Sequence, residues 1–176
     1  VFVGPSPSTG YMFSSGNSGT NLISQVHRVQ SLNSSASVSR TDVNQYGQLA
    51  ALDRIILESP TSTLNFDYLV ANTYNASVLG FTVDGTSSCI SGILNKTQDE
   101  KNYFLETVAE GNDAIGNTDA SSTKSVRAVG NGFLSNFTAQ GSVGNFATES
   151  VSVEGLNFYS YIGATGLPSP AVVPAS

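Results

Sequence analysis

The sequence contains no tryptophan, one cysteine, one histidine and one methionine in 176 residues, and only 11% of its residues carry a charged side chain. A lone Cys89 excludes an internal disulfide, so stability has to come from packing. The thiol is expected to serve as a small buried hydrophobe. With one histidine and one cysteine, no zinc centre of the usual ligand spacing can be assembled within one chain. Cations are also few: seven Lys and Arg against 13 Asp and Glu, for a formal net charge of -6. They stand singly at Arg28, Arg40, Arg54, Lys96, Lys101, Lys124 and Arg127, so the basic footprint of a protein that grips nucleic acid is missing. No apolar run approaches the ~20 residues of a membrane-spanning helix. The opening Val-Phe-Val-Gly-Pro has neither the basic region nor the long apolar core of a signal peptide. It also lacks an initiator Met, which fits processing or a preceding segment.

Apolar residues nevertheless make up 39% of the chain, enough for one core, and the length suits one domain. Polarity comes from Ser, Thr, Asn and Gly, which favour turns and solvated strand faces over helix interiors. The pattern agrees. Leu22, Val26, Leu32, Ala36 and Val38 share one parity from 21 to 40, predicting a long half-buried strand or two with a bend near 31–35. Leu64, Phe66, Tyr68 and Val70 alternate with Asn65 and Asp67 in a second strand. Further strands are predicted over 101–109, 126–140 and 146–154, with a turn at Glu110-Gly-Asn-Asp113; Phe133, Phe137, Ala139 and Val143 share a parity that can line a core face.

Between the first two strands the sequence suggests a loop, a short helical turn capped by Thr41 or Asp42, and a short strand near Ile55 to Leu57. The spacing over 77–83 and 88–94 is compatible with single helical turns packed over a sheet or with irregular segments. The first 20 residues read as an irregular arm, 21–166 as one β-rich domain, and the proline-rich 167–176 as a strap or linker. Strand following strand with little helix predicts an all-β fold, an antiparallel sandwich or barrel with one or two short helices.

Chemistry is hard to place on this frame. His27 lies on a polar parity with no acidic partner or nucleophile motif and reads as a surface histidine. There is no G-x-S-x-G elbow. Glycines near 130 and 144 lack the Lys-[ST] of a phosphate loop and read as turns. Asp42, Asp53, Asp67, Glu106 and Glu149 are the available carboxylates for a glycosidase pair, but the chain offers no Trp platform beside them. No calcium loop is present, and no catalytic residue, cofactor or metal is expected. Sequons at Asn33, Asn75, Asn95 and Asn136 are what an Asn- and Ser-rich chain produces by chance.

A physical clue remains. From Val129 to Thr148 there is no charge, yet proteins usually blunt exposed strand edges with charge. A long neutral β segment invites aggregation in a free monomer and becomes acceptable when another subunit covers it. Ordered self-assembly is therefore expected.

Two stretches carry a resemblance. "RTDVNQYGQLAALDRIILESPTSTLNFDYLV" (Arg40 to Val70) is similar to the early strands and loop of phage tail tube proteins of the siphovirus-like kind. "NGFLSNFTAQGSVGNFATESVSVEGLNF" (Asn131 to Phe158) resembles their closing strand pair. The resemblance implies a tail-tube-like fold in a virion structural protein. Copies would form rings, hexameric or trimers of duplicated domains, which stack into a hollow tube. DNA would pass through the lumen without specific binding, and the partners would be further copies and other tail proteins, with no membrane involved. An acidic or neutral inner wall is implied, which the net charge of -6 suits, since it repels DNA. Arg40, Asp42, Asp53 and Arg54 are expected to make polar contacts that fix the first loop, within or between subunits. The first 20 residues match nothing in the family, and no single long inter-ring loop is evident. Alternatives are another virion β-protein (tail terminator, capsid decoration or fibre module) or a carbohydrate-binding or hydrolytic β-sandwich.

Overall fold

The computed structural model describes residues 1–6, 11–13, 23–47, 53–94, 100–108, 110, 125–162 and 167–172. In chain order the elements are β1 (Phe2–Pro5), β2 (Tyr11–Phe13), β3 (Ser24–Gln25), β4 (Val29–Ser37), β5 (Thr41–Val43), β6 (Asp53–Ile55) and β7 (Thr61–Leu69). Then come α1 (Tyr74–Leu79), a 3₁₀ turn (Cys89–Gly92), β8 (Lys101–Thr107), β9 (Ser125–Gln140), β10 (Thr148–Gly155), β11 (Asn157–Ile162) and β12 (Leu167–Pro168). The main sheet runs β3-β1-β8-β9-β10-β7-β4, with β11 also on β9, and its pairings are antiparallel. The all-β expectation with short helical turns holds.

β9 organises the molecule. Its first half pairs with β8 on one side and β11 on the other, whereas Phe133 to Gln140 pair, among the described residues, with β10 alone. At the changeover Asn131 has a φ of 52°, a local break that lets one strand serve two layers. The first layer is β3-β1-β8-β9-β11 and the second β9-β10-β7-β4. Their shared core takes Val3, Tyr103, Leu105 and Val129 from the first and Leu64, Phe66, Tyr68, Val151 and Val153 from the second. Each such side chain contributes roughly 1.5–3 kcal/mol on burial. The layers come so close at Gly155 that a Cβ there would stand 2.2 Å from Val129 Cγ1.

A second cluster, including Phe2, Phe104, Val126, Ala128 and Leu167, covers the opposite face of the first layer. Consequently β8 is buried on both sides, with Tyr103 and Phe104 both fully enclosed. Burial alone holds the Tyr103 phenol far above its ordinary pKa. The C-terminal segment is tied across this layer. Asn131 Oδ1 accepts from the Val172 N–H at 2.6 Å, Asn157 Nδ2 donates to Pro170 O at 2.8 Å, and Asn102 Nδ2 donates to Ser169 Oγ at 3.0 Å.

Several expectations need correction. The opening residues are not irregular: Phe2 and Val3 are core residues of β1, because a layer covered on both faces accepts apolar side chains of either parity. The strand expected over 21–40 breaks at Val26 to Arg28, earlier than 31–35. Arg28 adopts a φ of 60°, and the buried Asn75 carboxamide accepts from the His27 N–H at 2.9 Å and donates to the His27 carbonyl at 2.8 Å. Thr41 and Asp42 start no helix but lie in an extended ribbon, β5 paired with β6. Cys89 is exposed rather than buried. β11 had no counterpart in the sequence reading. The 3₁₀ turn Cys89–Gly92 falls inside the expected 88–94 segment, whereas α1 (Tyr74–Leu79) begins three residues before 77–83 and covers only its start; residues 111–113 of the predicted turn lie outside the described residues.

Candidate assembly surface

The second layer has two faces of opposite character. On the inner one, Leu64, Phe66 and Tyr68 of β7 meet Val151 and Val153 of β10. The outer one is set by register. Ser31, Asn33, Ser35 and Ser37 of β4 lie opposite Asp67, Asn65, Thr63 and Thr61 of β7. Ser150, Ser152 and Glu154 of β10 continue across those β7 rows, followed by Thr138 and Asn136 of β9. Cross-strand hydrogen bonds knit it together: Ser31 Oγ donates to Asp67 Oδ2 at 2.5 Å, and the hydroxyls of Ser35 and Thr63 lie 2.7 Å apart, those of Ser37 and Thr61 2.9 Å. Such pairs are the unit of sheet stabilisation, about 0.2–1 kcal/mol each. The only charges along these rows are Asp67 and Glu154, both negative. Hydrogen bonds from Ser150 and then Ser31 hold the exposed Asp67 carboxyl below its ordinary pKa, so it stays ionised.

The lateral edges of this layer are β4 and the second half of β9. Among the described residues each has a sheet neighbour on one side only. Neither Val29–Ser37 nor Phe133–Gln140 contains a charged residue, and neither contains a proline. Both lack the usual devices that stop edge-to-edge pairing.

A bulge corrects one sequence expectation here. Phe133, Phe137, Ala139 and Val143 share a parity and were expected on the core face. Between Ser152 and Val153 the β9 register shifts, leaving Ser135 as the extra residue. Phe137 and Leu134 therefore pack on the core, while Phe133 falls opposite Glu154 and is 40% exposed. Val143 sits in the β9–β10 turn and is fully exposed.

Of the four residues expected to fix the first loop, two meet directly. Asp42 and Arg54 face each other across β5 and β6, with Arg54 Nε 2.6 Å from Asp42 Oδ1. Asp53 Oδ1 accepts the Arg54 N–H at 2.7 Å. Arg40 lies just before β5, exposed and outside this pair. An exposed ion pair is worth about 0–1 kcal/mol, so it adds little to the stability of the ribbon. The ribbon and its flanks expose Val38, Tyr46, Ile55, Ile56 and Leu57, an apolar set the sequence reading did not single out.

No family model and no curated protein sequence matches the chain. Solved structures do. A chain of an extracellular contractile injection system, from its sheath–tube complex in the extended state, is 10% identical with a TM-score of 0.53, covering 92% of this chain and 88% of its own. A chain from the six-fold symmetrised anti-feeding prophage baseplate is 9% identical, TM-score 0.51, with 91% of each chain covered. A chain of the cap that terminates the anti-feeding prophage tube is 10% identical, TM-score 0.51, covering 77% of this chain and 80% of that one. At such identities the likeness speaks of fold alone, and the chain therefore adopts a tail-tube-like all-β fold of the kind found in these injection-system assemblies.

Proposed function

We propose that the chain is a structural, non-enzymatic subunit of a phage tail tube, acting through its strand edges and not through a catalytic group. The observation that carries this reading is the four-stranded layer β4-β7-β10-β9, whose two free edges are uncharged and whose outer face is polar and weakly acidic. Joining β4 of one copy to the second half of β9 in the next continues the sheet head to tail, an arrangement that gives a ring where the rotation between copies closes. The similar anti-feeding prophage baseplate structure is six-fold symmetrised. Six such layers at about 4.8 Å per strand give a circumference of about 115 Å and a backbone diameter of about 37 Å. Side chains reaching about 5 Å inward leave a channel of about 27 Å, and strand tilt widens it. That is room for a DNA duplex. Ser, Thr, Asn and Gln with Asp67 and Glu154 would give the duplex no cation to grip, so it slides.

Under this reading the β5–β6 ribbon, with Arg40, Asp42, Asp53 and Arg54, stands at an end of the layer where stacked rings meet. Its exposed apolar residues would be covered by another copy, and the protein would reside in the virion tail with other tail proteins. Electron microscopy and sedimentation of the purified chain at high micromolar concentration test the reading. Rings and long hollow tubes are expected; short caps point to a terminator, and a strictly monomeric species overturns it.

A further inference from the structure

Edge pairing leaves part of each flank unexplained. Beside β4 lies a groove of about 270 Å³, lined by Leu32 and Ser34 of β4, Leu105 and Thr107 of β8, and Ser125 and Arg127 of β9. Leu32 is 39% exposed although it lies opposite the enclosed Phe66, so the core is half open here. Arg127 is exposed at the groove. Among the described residues it takes part in no salt bridge, the pair there being Arg54 with Asp42.

The opposite flank carries a projection. Phe81 packs on Phe137 of β9 with ring centroids 4.6 Å apart, which anchors the segment 81–94 over the β9 edge. Gly92 seals its base, since a Cβ there would lie 2.1 Å from Gly80 O, and Thr82 N–H donates to Cys89 O at 2.9 Å. Beyond that anchor Ile90 and Leu94 are 57% and 78% exposed. Asp84 stands in the same segment, fully exposed. Its carboxylate accepts from the Thr86 and Ser87 N–H groups at 3.0 and 2.8 Å, which fixes its direction.

Register sets the heights of these two features. Leu32 pairs with Phe66, Phe66 with Val151, and Val151 with Phe137. Ser34 reaches Leu134 in the same way through Leu64 and Val153. Groove and projection therefore lie at one level of the layer, on its core side, at opposite lateral edges. Head-to-tail joining of β4 to β9 in the register that keeps this level brings the projection of one copy against the groove of the next.

We propose that the 81–94 segment of a second copy of this chain docks in the groove beside β4, with Ile90 or Leu94 covering Leu32 and Leu105 and Asp84 approaching Arg127. This rests on the head-to-tail ring reading above and adds to it the contact that closes the open side of the core. The subunit boundary is then held on two sides of the strand pair, by backbone at the edge and by side chains behind it. A neighbour's carboxylate at the mouth also favours the correct partner over a flipped one, which would set Arg127 against another copy's Arg127.

Cys89, the one thiol of the chain and exposed in the projection, makes this testable with single substitutions. In assembled full-length protein under a mild oxidant, Thr107→Cys is expected to give a ladder of disulfide-linked oligomers. Thr63→Cys, on the outer face, is expected to give none. Separately, Asp84→Lys or Arg127→Glu alone should raise the concentration needed for assembly by up to about fivefold, and the double variant should restore it. Tubes that form normally but show no Thr107→Cys ladder overturn the docking and leave the tube reading intact, as does a double variant no better than the singles. Failure of the unmodified chain to form rings at all overturns both.

Discussion

A proline placed in β4 separates the two jobs of that strand. Adjacent residues of an edge strand send their N–H groups to opposite sides, so one of Asn33 and Ser34 donates toward β7 and the other toward the free edge. Proline removes the donor and is tolerated in a sheet only where the N–H faces outward. Turned toward β7, it removes a ladder bond and leaves its acceptor unsatisfied, at a cost of about 1–3 kcal/mol. Most of a domain stability of about 5–15 kcal/mol survives, but the melting temperature falls by several degrees. Turned toward the free edge, it leaves the isolated subunit nearly unchanged and acts only on assembly.

The size of that second effect follows from the length of the edges. Val29–Ser37 against Phe133–Gln140 allows about eight inter-subunit hydrogen bonds, each contributing roughly 0.5–1.5 kcal/mol net. Their sum of about 4–12 kcal/mol is comparable with the estimated 4–15 kcal/mol lost in immobilising a partner. The interface is thus poised, and one missing bond with a distorted neighbour, about 1–3 kcal/mol, weakens each contact roughly 5- to 150-fold. Thermal melting of the monomer and sedimentation of the assembled material, run on Asn33→Pro and Ser34→Pro, read the two effects apart. One variant should melt low, and the other should melt normally and stay disassembled. Two variants that both assemble like the parent would refute the edge-pairing argument.

Other perturbations probe the frame behind the edge. Leu64→Ala empties a fully enclosed site in β7 and should cost about 2–5 kcal/mol by chemical denaturation. Gly155→Ala sets a methyl against Val129 Cγ1 at 2.2 Å, and overpacking there should cost about 1–3 kcal/mol with little change in the secondary-structure spectrum. For acid stability, hydrogen bonds from Ser87 and Thr86 pull the Asp84 carboxyl from the ordinary aspartate value down to about 2. A depressed folded-state pKa gives stability that is present above the unfolded value near 4 and lost as pH falls toward 2. Asp84→Asn should therefore flatten the melting-temperature profile between about pH 4 and 2, and an unchanged slope would mean the turn contributes nothing to acid stability.

How much of this was legible in the sequence depends on whether a strand has one wet face. β7 does, and Leu64, Phe66 and Tyr68 announced themselves by alternation. β1 does not: Phe2 and Val3 are both buried because two clusters flank their layer, so parity carries no signal, and the Gly, Ser and Pro that follow disguise the strand. β8 hid its double burial for the same reason. The ribbon β5–β6 is exposed on both faces, which leaves no alternation to read, although its charged pair Asp42 and Arg54 was noticed without its geometry. Phe133 was assigned to the wrong face because a bulge at Ser135 reverses parity halfway along β9, and nothing in a periodic reading marks where an extra residue will fall.

The candidate assembly surface was legible for a different reason, which bears on what can be read from an absence. Charge is missing from β9 after Arg127 and from all of β4, but the sequence supplied only half of that pair as a candidate edge, since the uncharged run noticed was 129–148. What makes the two neutral strands one surface is sheet order, with β10 and β7 between them, and sheet order is a long-range property that no local pattern encodes. The same order puts the Phe81–Phe137 anchor and the Leu32 groove at matching heights on opposite flanks. A neutral edge says that a strand can accept a neighbour; two neutral edges at the ends of one layer, with a projection behind one and a groove behind the other, are what the proposed head-to-tail joining of copies requires.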